Sequence, residues 1–202
     1  MLPLQLIFQG KTNQCHPPVP DHIAKVGFHI THSDNHWSNQ ETMKQYIVSI
    51  IQPYIKSRIT ELKLSLDSKA IVILDCWSVH RSEEFRNYMR DNHKNIELVF
   101  IPPNCTSKLQ VADVALNFSF KFGLKKRFQE WTVQQVFDQL EANEEDISID
   151  TSMKAIKPML LQWCYESWGS LSHRADLIMR DWHKCMDSIL DPFDSKVQDA
   201  AL

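Results

Sequence analysis

The stretch from residue 70 to residue 101 limits the fold more than any other part of the chain. Ala70-Ile71-Val72-Ile73-Leu74 is an unbroken apolar run that ends on Asp75. A short run of this kind fits a strand covered on both faces, as in a sheet flanked by helices. Glu83–Asn92 follows, with Phe85, Tyr88 and Met89 on one helical face. Ile96-Glu97-Leu98-Val99-Phe100-Ile101 is a second strand, stopped by Pro102-Pro103. Strand, helix and strand within about 30 residues make a βαβ unit, whose two strands run parallel. The expected class is therefore α/β.

Ligands of open α/β sheets bind beyond the carboxyl ends of the strands. Asp75 stands at such an end and is placed to hold a hard cation; its position equally allows it to cap the next turn. Asp113 lies 113 − 75 = 38 residues further on. It too has a second reading, as the N-cap of a helix.

The flanks read as follows. Leu4–Phe8 is a strand ended by Gly10, and residues 11–22, with three prolines, are loop. Ser38-Asn39-Gln40-Glu41 has the form of a capping box, with Ser38 as cap. Met43, Tyr46, Ile47, Ile50, Ile51, Tyr54 and Ile55 then recur at helical spacing, and Pro53 is expected to bend the last turn. Beyond Asp113, Val114, Leu116, Phe118, Phe120, Phe122 and Leu124 alternate like a strand, whereas Leu116, Phe120, Leu124 and Phe128 repeat like a helix. Glu141–Asp150 is an acidic linker. Met153, Ile156, Leu160 and Trp163 mark one helical face, with Pro158 expected to kink that helix; Ala175, Met179, Trp182 and Met186 mark another.

Composition excludes several classes. No run approaches the ~18 apolar residues of a membrane span, and Leu2–Gly10 lacks the marks of a signal peptide. Four glycines leave little material for a phosphate-cradling loop, and a net charge of −3 means that any nucleic-acid contact needs a local basic face. Cys15, Cys76, Cys105, Cys164 and Cys185 are odd in number and widely spaced, which suits reduced thiols in an intracellular compartment, read as small buried hydrophobes. His29, His32 and His36, with Cys15 or His16, do not have the spacing of a zinc finger and read as polar loop residues at a strand-to-helix turn. A Cys76–His80 nucleophile lacks an accompanying oxyanion-hole motif. Trp163, Trp168 and Trp182 read as packing residues.

Three blocks carry a resemblance. Ile73-Leu74-Asp75-Cys76-Trp77-Ser78-Val79-His80 resembles the LLD-x-x-x-x-H strand end of DDE transposases of the pogo, Tigger and jerky-like group. Residues 101–113, with Pro102-Pro103-Asn104, Thr106-Ser107 and Leu109-Gln110 leading to Asp113, resemble their PPN-x-T-S-x-LQP-x-D block. Leu2–Thr12 resembles their LP-x-x-x-IF-x-GKT segment. The blocks occur in the family's order, and the similarity runs from about Leu2 to about Phe128. Val111 replaces the usual proline, and Cys76 stands where asparagine is commoner.

The resemblance implies an RNase H-like fold with a partial sheet flanked by helices, a catalytic part over 1–130, an acidic linker over 131–150, a C-terminal helical extension over 151–190 and a tail over 191–202. It implies a helix after Asp113. It implies a DDE-type endonuclease domain that binds DNA in the nucleus, with Asp75 and Asp113 as catalytic carboxylates holding Mg²⁺ or Mn²⁺. His80 and Gln110 would support them, and Lys108, Lys121, Lys125, Lys126 and Arg127 would meet phosphates. For the basic group, a solvated helix face is the competing reading. The family's first catalytic Asp precedes the Leu2–Thr12 block, so the chain is expected to be N-terminally truncated and inactive alone. The two strands carrying that part supply the middle of the family's sheet. Their lack is expected to leave strand edges open to self-association. The alternative function is a non-catalytic, domesticated interaction protein that retains the scaffold.

Overall fold

The computed structural model describes residues 1–105, 109–143 and 145–190; the side chains of residues 114, 115, 186 and 188–190 fall outside the description, as does the expected tail. Two parallel strand pairs organise the first half. Strand β1 (Gln5–Gln9) pairs with β2 (His29–Ser33), from Gln5 opposite His29 to Gln9 opposite Ser33. The connection holds a 3₁₀ turn, Asn13–Cys15, and the short helix α1 (Asp21–Ala24). The β2 segment is a strand where the sequence reads as polar loop. It is held by the ladder to β1 and by buried Thr31, whose hydroxyl donates to Gln45 Oε1 at 2.7 Å.

Helix α2 (Gln40–Tyr46) begins one residue later than its sequence signature implies. Asn39 is the cap: its Oδ1 accepts from Thr42 N at 2.9 Å, while Thr42 Oγ1 accepts from Asn39 N at 2.8 Å. The reciprocal pair is thus made by Asn39 and Thr42, one step along from Ser38 and Glu41. A π turn over Ile47–Ile51 joins α2 to α3 (Gln52–Glu61). The irregularity lies ahead of Pro53 and not in the last turn. The proline removes the donor that would meet the Ser49 carbonyl and crowds that oxygen, and the wider turn spans it.

Strand β3 (Ala70–Leu74) pairs in parallel with β4 (Ile96–Phe100), across α4 (Ser78–Arg81) and α5 (Glu83–Asn92), as the βαβ reading requires. One face of this pair is covered. Ala70, Val72, Leu74 and Leu98 pack on a core of Met43, Ile47, Ile51, Ile55, Ile59, Phe85, Met89 and Ile96. The other face carries Ile71, Ile73 and Val99, at 68%, 50% and 45% exposure. This corrects the expectation of cover on both faces. An apolar run states what a strand can bury; α2, α3 and α5 supply cover on one side only among the described residues.

After β4, Asn104 takes a positive φ of 63°, and Cys105 N donates to Pro102 O at 3.2 Å. Proline then asparagine are the residues such a β-turn selects at its second and third positions. A π turn over Ala112–Leu116 runs into α6 (Asn117–Glu141), so the segment after Asp113 is helical. Helix α7 (Met153–Ser172) packs on α6 and reaches back to the N-terminal strands. Trp168 Nε1 donates to Leu2 O at 2.8 Å, and Lys157 Nζ to Cys15 O at 2.9 Å. Helix α8 (Ala175–Leu190) buries Asp181 and Cys185. Its expected apolar face is displaced, since Met179 and Trp182 are 54% and 44% exposed.

Phe85 is fully buried among the residues that support β3 and β4. Phe85→Ala is expected to lower unfolding free energy by about 3–5 kcal/mol. Urea titration followed by circular dichroism measures it, and a loss below about 1 kcal/mol would show that the cluster is not the support described.

Candidate functional site

The parallel pairing of β3 and β4 sends both strands to the same edge of the sheet. Ile101 N donates to Leu74 O at 2.8 Å, so the ladder continues to the last residue before Asp75. Cys76 Sγ lies 2.8 Å from Ile101 O, which ties the start of one exit loop to the other. Asp75 is therefore carried out of the sheet on a tethered backbone.

Its carboxylate is oriented by two donors. Oδ1 accepts from His80 Nδ1 at 2.6 Å and from Trp77 N at 3.2 Å. The second bond is the turn cap that position alone allows; the first goes beyond a cap. Helix α4 presents His80, whose side chain is 15% exposed and packs edge-on to Trp77 with ring centroids 5.3 Å apart. With a carboxylate as acceptor, Nδ1 is the donor of this bond.

Asp113 is exposed and stands in the first turn of the π segment, not at its cap, which is Val111. Its N–H donates to Gln110 O at 2.9 Å, and its Oδ1 accepts from Asn117 Nδ2. Gln110 Oε1 is buried with no hydrogen-bond partner among the described residues. Lys108, with Thr106 and Ser107, lies outside the described residues.

The basic residues divide. Lys121, Lys125 and Lys126 are exposed on α6, and Lys126 lies 3.7 Å from Glu130. Arg127 is engaged between helices: Nε donates to Glu166 Oε2 at 2.6 Å, and Nη1 meets Gly123 O and Ser167 Oγ. Gly123 allows this approach, because a Cβ there would lie 3.0 Å from Ser167 Oγ. Hydrogen bonds from Gln162 and then from Arg127 hold the Glu166 carboxyl below its ordinary value.

Two groupings are not marked as sites by the sequence. Cys15, His16 and His32 come together at the β1–β2 connection. Burial, followed by the charges of His32, His29 and Lys157, lowers the pKa of His16. No disulfide joins the five cysteines; Cys15 and Cys76 are half-buried, while burial pushes the Cys164 thiol up to about 11. On α8, Asp181 is fully buried with Oδ2 unpartnered among the described residues, and α8 packs against the turn that carries Asp113. No periodicity marks this aspartate, since it lies inside an ordinary amphipathic helix.

The model of the DDE superfamily endonuclease family matches residues 1–182. The chain belongs to this family. The match extends past the motif blocks through α6 and α7 and into α8, so these helices are part of what the family shares. Comparison with curated proteins and with solved structures yielded no match. Membership in the DDE superfamily endonucleases implies a transposase-like nuclease, a general dependence on divalent metal and DNA as substrate. Helices and small parallel sheets agree with the α/β class. No helix among the described residues is long and apolar enough to cross a membrane.

Asp75 and Asp113 each offer carboxylate oxygens, the donor type that a hard divalent cation takes, and Gln110, three residues before Asp113, has a buried Oε1 without a hydrogen-bond partner among the described residues.

Arg127→Ala is expected to cost about 1 kcal/mol at pH 7, the range of a partly exposed charged pair. Because the folded-state pKa of Glu166 is depressed, its contribution is present above the ordinary value of 4.5 and lost as pH falls below it. The difference between wild type and variant should therefore shrink at acid pH. Urea melts at pH 7 and pH 3.5 measure this; an equal loss at both would rule out the ion pair as its source.

Proposed function

We propose that this chain is a transposase-derived, RNase H-like DDE endonuclease domain in which Asp75 and Asp113 hold Mg²⁺ or Mn²⁺ for phosphoryl transfer on DNA. The observation that carries the proposal is the parallel β3–β4 pair, which brings Asp75 and the Pro102–Cys105 turn, both within the family match, to one sheet edge. A divalent cation, when bound, supplies Lewis-acid stabilisation of the attacking and leaving oxygens of a phosphodiester.

The chain's own residues prepare that chemistry. His80 and Trp77 N fix the rotamer of Asp75 through Oδ1, and Oδ2 takes part in neither bond. Asn117 braces Asp113 from the next helical turn. Gln110, three residues before Asp113, offers a neutral buried oxygen. Lys121, Lys125 and Lys126 contact phosphates, and Lys108 belongs to the same reading. The Arg127 guanidinium is committed to Glu166, which leaves the phosphate contacts to the lysines. In this reading residues 1–130 form the catalytic part, 151–190 the helical extension and 191–202 the tail, and the protein works in the nucleus. Of the expected 131–150 linker, the part to Glu141 continues α6, and only the residues after it connect.

By resemblance, the catalytic centre takes three carboxylates, of which this reading assigns Asp75 and Asp113, and these two alone are proposed to hold metal too weakly for cleavage by the 202-residue polypeptide. Purified and given supercoiled plasmid with Mg²⁺ or Mn²⁺, it should leave the plasmid uncut. Metal-dependent nicking that disappears in Asp75→Ala would contradict this.

A second reading, a non-catalytic interaction protein on the same scaffold, is favoured by exposed apolar residues along α6. Phe118 and Phe122, 74% and 62% exposed, stack with ring centroids 6.5 Å apart, and Phe137, further along the helix, is 56% exposed; exposed apolar surface can mark contact sites. DNA binding separates the two. Changing Lys125 and Lys126 to Gln should lower the slope of log K against log[salt] by about 0.9 for each duplex phosphate that a lysine no longer neutralises. An unchanged slope would favour the interaction reading.

A further inference from the structure

The Cys15, His16 and His32 grouping lies outside the Asp75–Asp113 region, and nothing in the nuclease reading uses it. The candidate ligand atoms of the three residues all lie within 4.8 Å of one another. His16 Nε2 and His32 Nδ1 are 3.1 Å apart, with ring centroids 5.2 Å apart. Zn–N bonds near 2.0–2.1 Å and a Zn–S bond near 2.3 Å give a tetrahedron with edges of about 3.3–3.6 Å. The imidazole separation is already close to such an edge. All three side chains are half-buried, so the group is sheltered yet open to an ion.

The backbone holds the cluster in place by independent means. Cys15 ends the 3₁₀ turn, and its carbonyl accepts from Lys157 of α7. His32 sits on β2, opposite Phe8 of β1. Gly10, at φ 155°, is packed so closely that a Cβ there would lie 2.5 Å from Cys15 Cβ and 2.6 Å from its Sγ. A side chain at position 10 would displace the thiol from the group.

We propose that Cys15, His16 and His32 bind one zinc ion, with water completing the tetrahedron, and that the ion staples the β1–β2 connection. One thiolate and two imidazoles suit a borderline ion such as Zn²⁺ and not the hard cations that carboxylates select. Binding releases the Cys15 thiol proton to solvent. It also leaves each imidazole with its single proton on the nitrogen facing away from the metal. The hydrogen bond between His16 and His32 is the metal-free form of the same contact.

The experiment uses the full chain, stripped with chelator and then titrated with ZnCl₂ or CoCl₂. Metal content after gel filtration should be one zinc per chain, with a rise in melting temperature. Cobalt should give a thiolate-to-metal charge-transfer band. Cys15→Ser and His32→Ala should lose both, while His36→Ala and Asp75→Asn should keep them; the Asp75 variant separates this site from the carboxylates. Absence of zinc uptake, or uptake undiminished in Cys15→Ser and His32→Ala, would overturn the proposal. If those variants fail to fold, the wild-type cobalt spectrum decides: a thiolate band supports the site, and a spectrum without one overturns it.

Discussion

The parallel ladder between β3 and β4 is the constraint on which the rest depends. It is pinned at its far end by the Ile101–Leu74 hydrogen bond and rests on Phe85, Met89 and the isoleucines of the Ile47–Ile51 turn and α3. Parallel strands cannot be joined by a tight turn, so the crossover through α4 and α5 follows from the pairing. The same crossover places His80 five residues after Asp75, where one short helix returns it to the carboxylate. Without the ladder, neither exit loop has a fixed origin, and the paired acid and imidazole lose their shared frame.

Much of this is legible in the sequence, for physical reasons particular to each element. The apolar runs at 70–74 and 96–101, the amphipathic 83–92 segment and the prolines after it leave little choice but a βαβ unit. Asp75 and His80 are marked by their place in a motif, and the structure brings them into contact. The helix after Asp113 is not legible from pattern, since Val114–Leu124 satisfies both periods; family resemblance favours the helix. Strand β2 escapes because its stabilisation is non-local. His29-Ile30-Thr31-His32-Ser33 has little apolar alternation and becomes a strand through β1 and through the Thr31–Gln45 bond. Cys15, His16 and His32 are set aside in the sequence because their spacing is not that of a zinc finger; strand register, which spacing does not show, brings His32 to residues from a preceding turn.

Arg127 shows the limit of reading charge by neighbourhood. In sequence it belongs with Lys121, Lys125 and Lys126; in the fold it faces α7 and joins Glu166 across Gly123. A helix of 25 residues turns its charges through several directions, and only packing decides which are solvent-facing. The exposed face of β3 and β4 teaches the converse. Ile71, Ile73 and Val99 are apolar enough for burial, yet the described elements cover only the opposite side.

The central claim is that Asp75 and Asp113 share one divalent metal site. A crystal of the chain soaked in Mn²⁺, with the ion located by its anomalous scattering, tests it most directly. The account requires manganese between the two carboxylates, with oxygen contacts near 2.1 Å and the carboxylates within about 4–8 Å of each other. Carboxylates more than about 10 Å apart, or manganese bound elsewhere on the chain, would contradict it.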